Sequence, residues 1–141
     1  MTKNSKHRIG VSAIIPSDGR VLLVKRGKQP YKNLWSLPGG SQKLGENLSD
    51  AVIREVNEET GLVASDAKFI TQFETMASGS NAATNQHFVL SVFLIEQFSG
   101  TEKAGDDASD LCWASRNEMD RLEMTPGTGE LIKSVLGDLL T

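Results

Sequence analysis

Apolar side chains in this sequence fall into short, β-branched runs broken by turn-forming residues, except in two stretches where they recur with helical spacing. Residues 8–15 (RIGVSAII) and 20–26 (RVLLVKR) flank Ser17-Asp18-Gly19, which predicts two strands joined by a tight turn and a hairpin opening the fold. Polar residues 27–33, with one proline, lead to an apolar run over 34–37 that stops at Pro38-Gly39-Gly40, a strand followed by a glycine loop. Residues 48–60 (LSDAVIREVNEET) combine strong helix formers with Asn47 as N-cap, Asp50 in the first turn and Gly61 at the terminating position, so a helix is expected there.

Beyond that helix, 67–75 (AKFITQFET) and 87–96 (HFVLSVFLIE) are rich in β-formers and predict two more strands, with a mobile small-residue connection over 77–85. A polar loop over 101–110, a short strand over 111–114 and a helical pattern over 116–122 follow. A final helix over 128–140 carries Leu131, Ile132, Val135 and Leu139 on one face. Strands and helices interleave without an internal repeat or linker, so the expectation is one domain over residues 1–141 with an α/β fold of the α+β type.

The bulk properties narrow the function. A chain of 141 residues is long enough to bury a sizeable core without disulfides or structural metals. Net charge is -3 and no run of Lys and Arg exceeds the pair Lys25-Arg26, which argues against general nucleic-acid or anionic-membrane binding and favours a small ligand. The single cysteine, Cys112, cannot form an intrachain disulfide and reads as an apolar filler between Leu111 and Trp113. The apolar stretch 11–15 is interrupted by Ser12 and followed by Pro16, too short for a signal-peptide core, so a cytoplasmic location is expected.

Candidate chemistry lies on the helix over 48–60. At about 100° per residue, Glu55, Glu58 and Glu59 stand at i, i+3 and i+4 and share one face. Val52 and Val56 lie beside that face, and Ile53 and Thr60 widen the apolar stripe, so the acids border the buried side and would line a groove. Like charges at these spacings repel, and Arg54 cannot neutralise all three. A hard divalent cation with oxygen ligands would offset the repulsion, and magnesium bound this way also takes substrate phosphates. On spacing alone, a solvated acidic helix face is the better reading; the surrounding residues shift the balance.

Those residues are Gly40, five positions, Glu46, seven positions, then Arg54-Glu55-Val56-Asn57-Glu58-Glu59-Thr60-Gly61-Leu62. The stretch resembles the 23-residue Nudix box, here residues 40–62, at every defining position. At average residue usage, a chance match in a chain of this length falls below about one in ten million. The resemblance implies an α/β/α sandwich with a mixed sheet between helices, the box forming a loop, helix and loop around a catalytic metal. It implies Glu55, Glu58 and Glu59 as magnesium ligands, with manganese able to substitute, and the Gly40 carbonyl as a further ligand. Arg54 would orient the glutamates, with Glu46 supporting them through water or through Arg54.

The chemistry so implied is attack of water on a phosphorus of a diphosphate, with a general base drawn from Asp106, Asp107 or Glu55 itself. Arg26, Gly39 and Lys43 are the candidates for contact with substrate phosphates; a guanidinium at 26 suits bidentate binding. Lys43 stands where relatives often carry an acid, and it reads either as a phosphate contact or as an exposed amine. His87 reads as a polar residue at the rim. Trp35, Phe73 and Phe88 could stack on a base, but aromatics in apolar strands are usually core, and Trp113 reads as packing.

The flanking segments (the run over 9–26, LWSLPGG, AGDDASDLCWAS and LEMTPGTGELI) are similar to bacterial proteins of the ADP-ribose pyrophosphatase-like subgroup. That likeness makes ADP-ribose the first candidate among small-molecule nucleotide substrates and, since related enzymes often dimerise, a homodimer a possible assembly. A MutT-like hydrolase of oxidised nucleoside triphosphates is the alternative, and a nucleotide-sensing domain without turnover is a third reading that the intact acids oppose.

Overall fold

A computed structural model of the chain describes residues 7–76 and 87–141. The elements in order are β1 (His7–Ile14), β2 (Pro16–Ser17), β3 (Arg20–Arg26), β4 (Trp35–Ser36), β5 (Gly39–Ser41), α1 (Leu48–Thr60), β6 (Val63–Ala64), β7 (Lys68–Met76), β8 (His87–Leu94), β9 (Phe98–Ser99), β10 (Ala108–Ala114), α2 (Arg116–Met119) and α3 (Thr128–Leu136), with a closing 3-10 turn at Gly137–Leu139. The connection expected over 77–85 lies outside the described residues.

The opening hairpin is a correction to the sequence reading. The turn itself is as expected, with Asp18 and Gly19 at φ 50° and 79°, but only Pro16 and Ser17 pair back onto Val21 and Arg20. β1 instead runs parallel to β8 from His7↔His87 to Ile14↔Leu94, inside a sheet of order β5-β1-β8-β7. β3 belongs to a second sheet of order β10-β3-β2, with β4 against β3. The cause is readable in retrospect: Val11, Ala13, Ile14 and Ile15 are all buried, so the run needs cover on both faces, and Pro16 has no N–H with which to continue the ladder. The expected mixed sheet is present as β5-β1-β8-β7, with β1 parallel to β8 and antiparallel to β5, and the β10-β3-β2 sheet joins it where the Ala13 N–H donates to the Pro38 carbonyl and the Leu22 N–H to the Ile15 carbonyl.

Strand alternation divides the core into two layers. Val11, Ala13, Ile15, Leu22, Phe93 and Ile95 meet Ala51, Val52 and Val56 of α1. Ile14, Val21, Leu23 and Val92 face the other way and meet Met119, Ile132, Leu136 and Leu140. Helices thus cover both sides of the strands, as the resemblance implied.

α1 has the predicted bounds because its ends are set locally. The Asn47 side chain accepts from the Asp50 N–H at 2.8 Å, and Gly61, at φ 78°, donates to the Asn57 carbonyl. The later elements depart from expectation. β10 starts at Ala108, three residues early, because Ala108 and Asp110 still pair by backbone with Arg26 and Lys25 around a bulge. α2 is a single capped turn, in which Ser115 and Glu118 form a reciprocal capping box. α3 stops at Gly137, at φ 51°, and Leu139 is 63% exposed instead of sharing the buried face. Among the described residues, no helix is long and apolar enough to cross a membrane.

Candidate active site

The buried stripe of α1, Val52, Val56 and Thr60, presses the helix onto β1 and β5 and carries the neighbouring acids with it. Glu55 and Glu59 are consequently only 9% exposed. Burial raises the Glu55 carboxyl above the ordinary range against the pull of Arg54. Burial also raises Glu59, to about 7, with the Gly39 N–H holding it down and the charge of Glu55 adding to the rise.

Two glycines make this approach physically allowed. Gly39 pairs with Ser12 across β1 so closely that a Cβ would strike the Val11 carbonyl oxygen, and its N–H donates to Glu59 Oε1 at 3.0 Å. At Gly40, paired with Val11, a Cβ would fall on the Glu55 carboxylate itself. Gly39, a phosphate candidate in the sequence reading, is thus committed to Glu59.

Arg54 is the hub. Its Nε and Nη2 form a fork on Glu46 at 2.7 and 2.9 Å, Nη1 reaches Glu55 at 3.0 Å and Glu58 at 3.2 Å, and Nη2 also donates to the Ser41 carbonyl. The Arg54 fork, with the Lys43 N–H on Glu46 Oε1 at 2.9 Å, holds the Glu46 carboxyl down at about 2. Glu46 therefore supports the glutamates through Arg54 directly. Lys43 meets the site through this backbone bond, while its side chain is exposed.

The loop between β9 and β10 supplies a further acid. Carboxylate oxygens of Glu55, Glu58 and Asp106 all lie within 4.8 Å of one another. Asp107, the other aspartate considered, turns away to pair with Lys28 Nζ at 2.9 Å. Arg26, at the end of β3, donates from Nε to the Pro30 carbonyl at 2.7 Å, and its charge helps hold Glu59 down. Three converging carboxylates with hard oxygen donors, two of them sharing one guanidinium, suit a hard divalent cation.

The remaining candidates sort by packing. Trp35 joins the second core, with Lys25 Nζ 5.9 Å from its ring centre. Trp113 stacks on Phe98 and donates from Nε1 to Glu102 at 2.6 Å. Cys112 is half-buried, its thiol pushed up to about 11 by burial, in keeping with a filler. Phe73 corrects the expectation of a core aromatic: it is 40% exposed, because β7 is an edge strand. The side chains of His87 and Phe88 lie outside the described residues. Sequence reasoning missed the Ser41 carbonyl and the Gly39 N–H as partners; the Gly-Gly pair was their only visible signal.

Comparison with known proteins bears on this arrangement. Residues 6–135 match the NUDIX domain. The ADP-ribose pyrophosphatase of Methanocaldococcus jannaschii is 33% identical over 114 residues, which cover 81% of this chain and 65% of that enzyme, just under two thirds of its length. The CTP pyrophosphohydrolase of Escherichia coli is 28% identical over 127 residues, 89% of each chain. In structure, the MutT NUDIX hydrolase from Burkholderia pseudomallei aligns with a TM-score of 0.78 at 30% identity, over 92% of this chain and 98% of that one. Sequence and fold agree, and the chain belongs to the NUDIX domain family of hydrolases.

Proposed function

We propose that the chain hydrolyses the diphosphate bond of a nucleoside diphosphate derivative, ADP-ribose first among them, with magnesium bound at the acid cluster and manganese able to replace it. The observation that carries this reading is the convergence of Glu55, Glu58 and Asp106, with the two glutamates held by a single arginine. The ADP-ribose pyrophosphatase named among the relatives supports the substrate class.

In this reading Glu55, Glu58 and Asp106 hold the cation, with Glu59 and the Gly40 carbonyl as further oxygen donors. The bound cation would polarise phosphate oxygens and make a water nucleophilic near neutral pH. Glu55 would also accept the proton of that water, a role supported by its burial and by its anchoring at Oε2 by Arg54. Arg54 and Glu46 keep the glutamates aligned, and the Nη groups of Arg26 contribute positive charge for the phosphates beside Glu59. Lys43 is left as an exposed amine at the rim.

The CTP pyrophosphohydrolase among the relatives, matched over nearly its whole length, favours a second reading in which the substrate is a nucleoside triphosphate. A panel of ADP-ribose, NADH, CTP and an oxidised deoxynucleoside triphosphate, each with magnesium, separates the two. AMP and ribose 5-phosphate from ADP-ribose at the highest kcat/KM support the first. Preferred release of pyrophosphate from a triphosphate replaces it with the second.

A further inference from the structure

We infer that Gly27 and Lys28 are positioning residues for Asp106, fixing its carboxylate beside Glu55 and Glu58 by clasping the next residue, Asp107. The inference rests on the reading that Asp106 belongs to the cation site. Asp106 has φ 51°, a left-handed turn conformation that aspartate tolerates better than most side chains and that its surroundings here hold in place. The surroundings here are two close backbone approaches, one on each side of the turn that the Ala108 N–H closes onto the Gly105 carbonyl at 3.0 Å.

On one side the turn caps the carboxyl end of α1, whose last carbonyls have no partner within the helix. The Gly105 N–H donates to the Glu59 carbonyl at 3.0 Å, and the Lys103 N–H to the Thr60 carbonyl at 2.8 Å. A Cβ at Gly105 would lie 2.7 Å from the Glu58 carbonyl oxygen, so only glycine lets the turn come so near the helix that carries the glutamates.

On the other side the Gly27 N–H donates to the Asp107 carbonyl at 2.8 Å, and a Cβ at Gly27 would lie 2.9 Å from that oxygen. Lys28 Nζ holds the Asp107 side chain at 2.9 Å, which keeps the second carboxylate on the lysine and leaves Asp106 to face the glutamates. An exposed ion pair contributes little by itself, so the backbone clasp at Gly27 carries most of the effect. Gly27 directly follows Arg26, and the same clasp therefore ties the strand end that carries Arg26 to the loop that carries Asp106.

The test is the affinity of the metal-free protein for Mn2+, followed by electron paramagnetic resonance, in Asp106→Asn, Gly27→Ala, Lys28→Ala and the two double variants that combine each clasp change with Asp106→Asn. Asp106→Asn should weaken binding at least about tenfold, Gly27→Ala on the order of tenfold, and Lys28→Ala by about twofold to threefold. Neither clasp change should weaken binding further once Asp106 is already replaced. Losses that multiply in the doubles, or a Gly27→Ala protein that folds and binds Mn2+ as the parent does, overturn the inference. An Asp106→Asn protein with parental affinity overturns the placement of Asp106 at the cation site, and the inference with it. If Gly27→Ala does not fold, the Lys28→Ala cycle decides by the same criterion.

Discussion

Glu46 and Glu59 both border the acid cluster, and their carboxyls are shifted in opposite directions. Glu46, held at about 2, is ionised in the folded state at pH values where the unfolded chain is protonated, so the stability it contributes is present above about pH 4.5 and lost as pH falls toward 2. Glu59, raised to about 7, keeps a proton in the folded state that the unfolded chain has released. The metal-free protein is therefore expected to lose stability as pH rises from about 4.5 through 7, by on the order of 3 kcal/mol from this group. Thermal melts of the parent and Glu59→Gln across that window check it: the difference between the two slopes should vanish above about pH 7.5, and equal slopes throughout would contradict it. Cation binding at pH 6.5 should also release a proton, measurable as acidification of a weakly buffered solution. Arg54 belongs to the same scale. Replacing it by alanine leaves Glu46, Glu55 and Glu58 without their shared donor, and about 1–3 kcal/mol of stability should go with it, partly restored by added magnesium in a denaturant titration.

At the scale of elements, α1 and β5 form the site together, and they differ in how far a sequence reveals them. The bounds of α1 were legible because Asn47 and Gly61 act within four residues of their partners, and the spacing of Glu55, Glu58 and Glu59 set their common face. The match of Gly40 to the Nudix box marked that glycine without saying why it is needed; the reason is a contact with Glu55, fifteen positions away along the chain. Gly40→Ala should lower turnover on the order of a hundredfold by displacing the Glu55 carboxylate. Gly39→Ala, which drives a Cβ into the backbone of β1, should damage the fold itself, seen as a lower melting temperature and a loss of soluble yield. The choice between Asp106 and Asp107 was not legible at all, because adjacent residues in a polar loop differ only in how the turn is held from outside, by α1 on one side and by Gly27 on the other.

At the scale of the molecule, the two core layers separate stability from chemistry. Ile132 is fully buried on the inner face of α3, on the side of the sheets away from α1, and Ile132→Ala should cost about 2–5 kcal/mol by denaturant unfolding while leaving KM and metal affinity unchanged. The alternation of residues 11–15 and 20–26 announced strands but not their partners. A run buried on both faces pairs with distant strands, here β5 and β8, and nothing local distinguishes that from a hairpin except the proline at 16. The exposure of Phe73 was hidden for the same reason, since whether a strand lies at an edge is a property of the assembled sheet.

The central claim is that the glutamates of α1 and the aspartate at 106 gather around a cation. Crystals soaked in Mn2+ and measured at an energy where manganese scatters anomalously test it most directly. The expected result is an anomalous peak about 2.1 Å from carboxylate oxygens of Glu55, Glu58 and Asp106 in the parent protein, lost or much reduced in Glu58→Gln. No peak at that position in the parent, with the same side chains turned into solvent, would contradict the account.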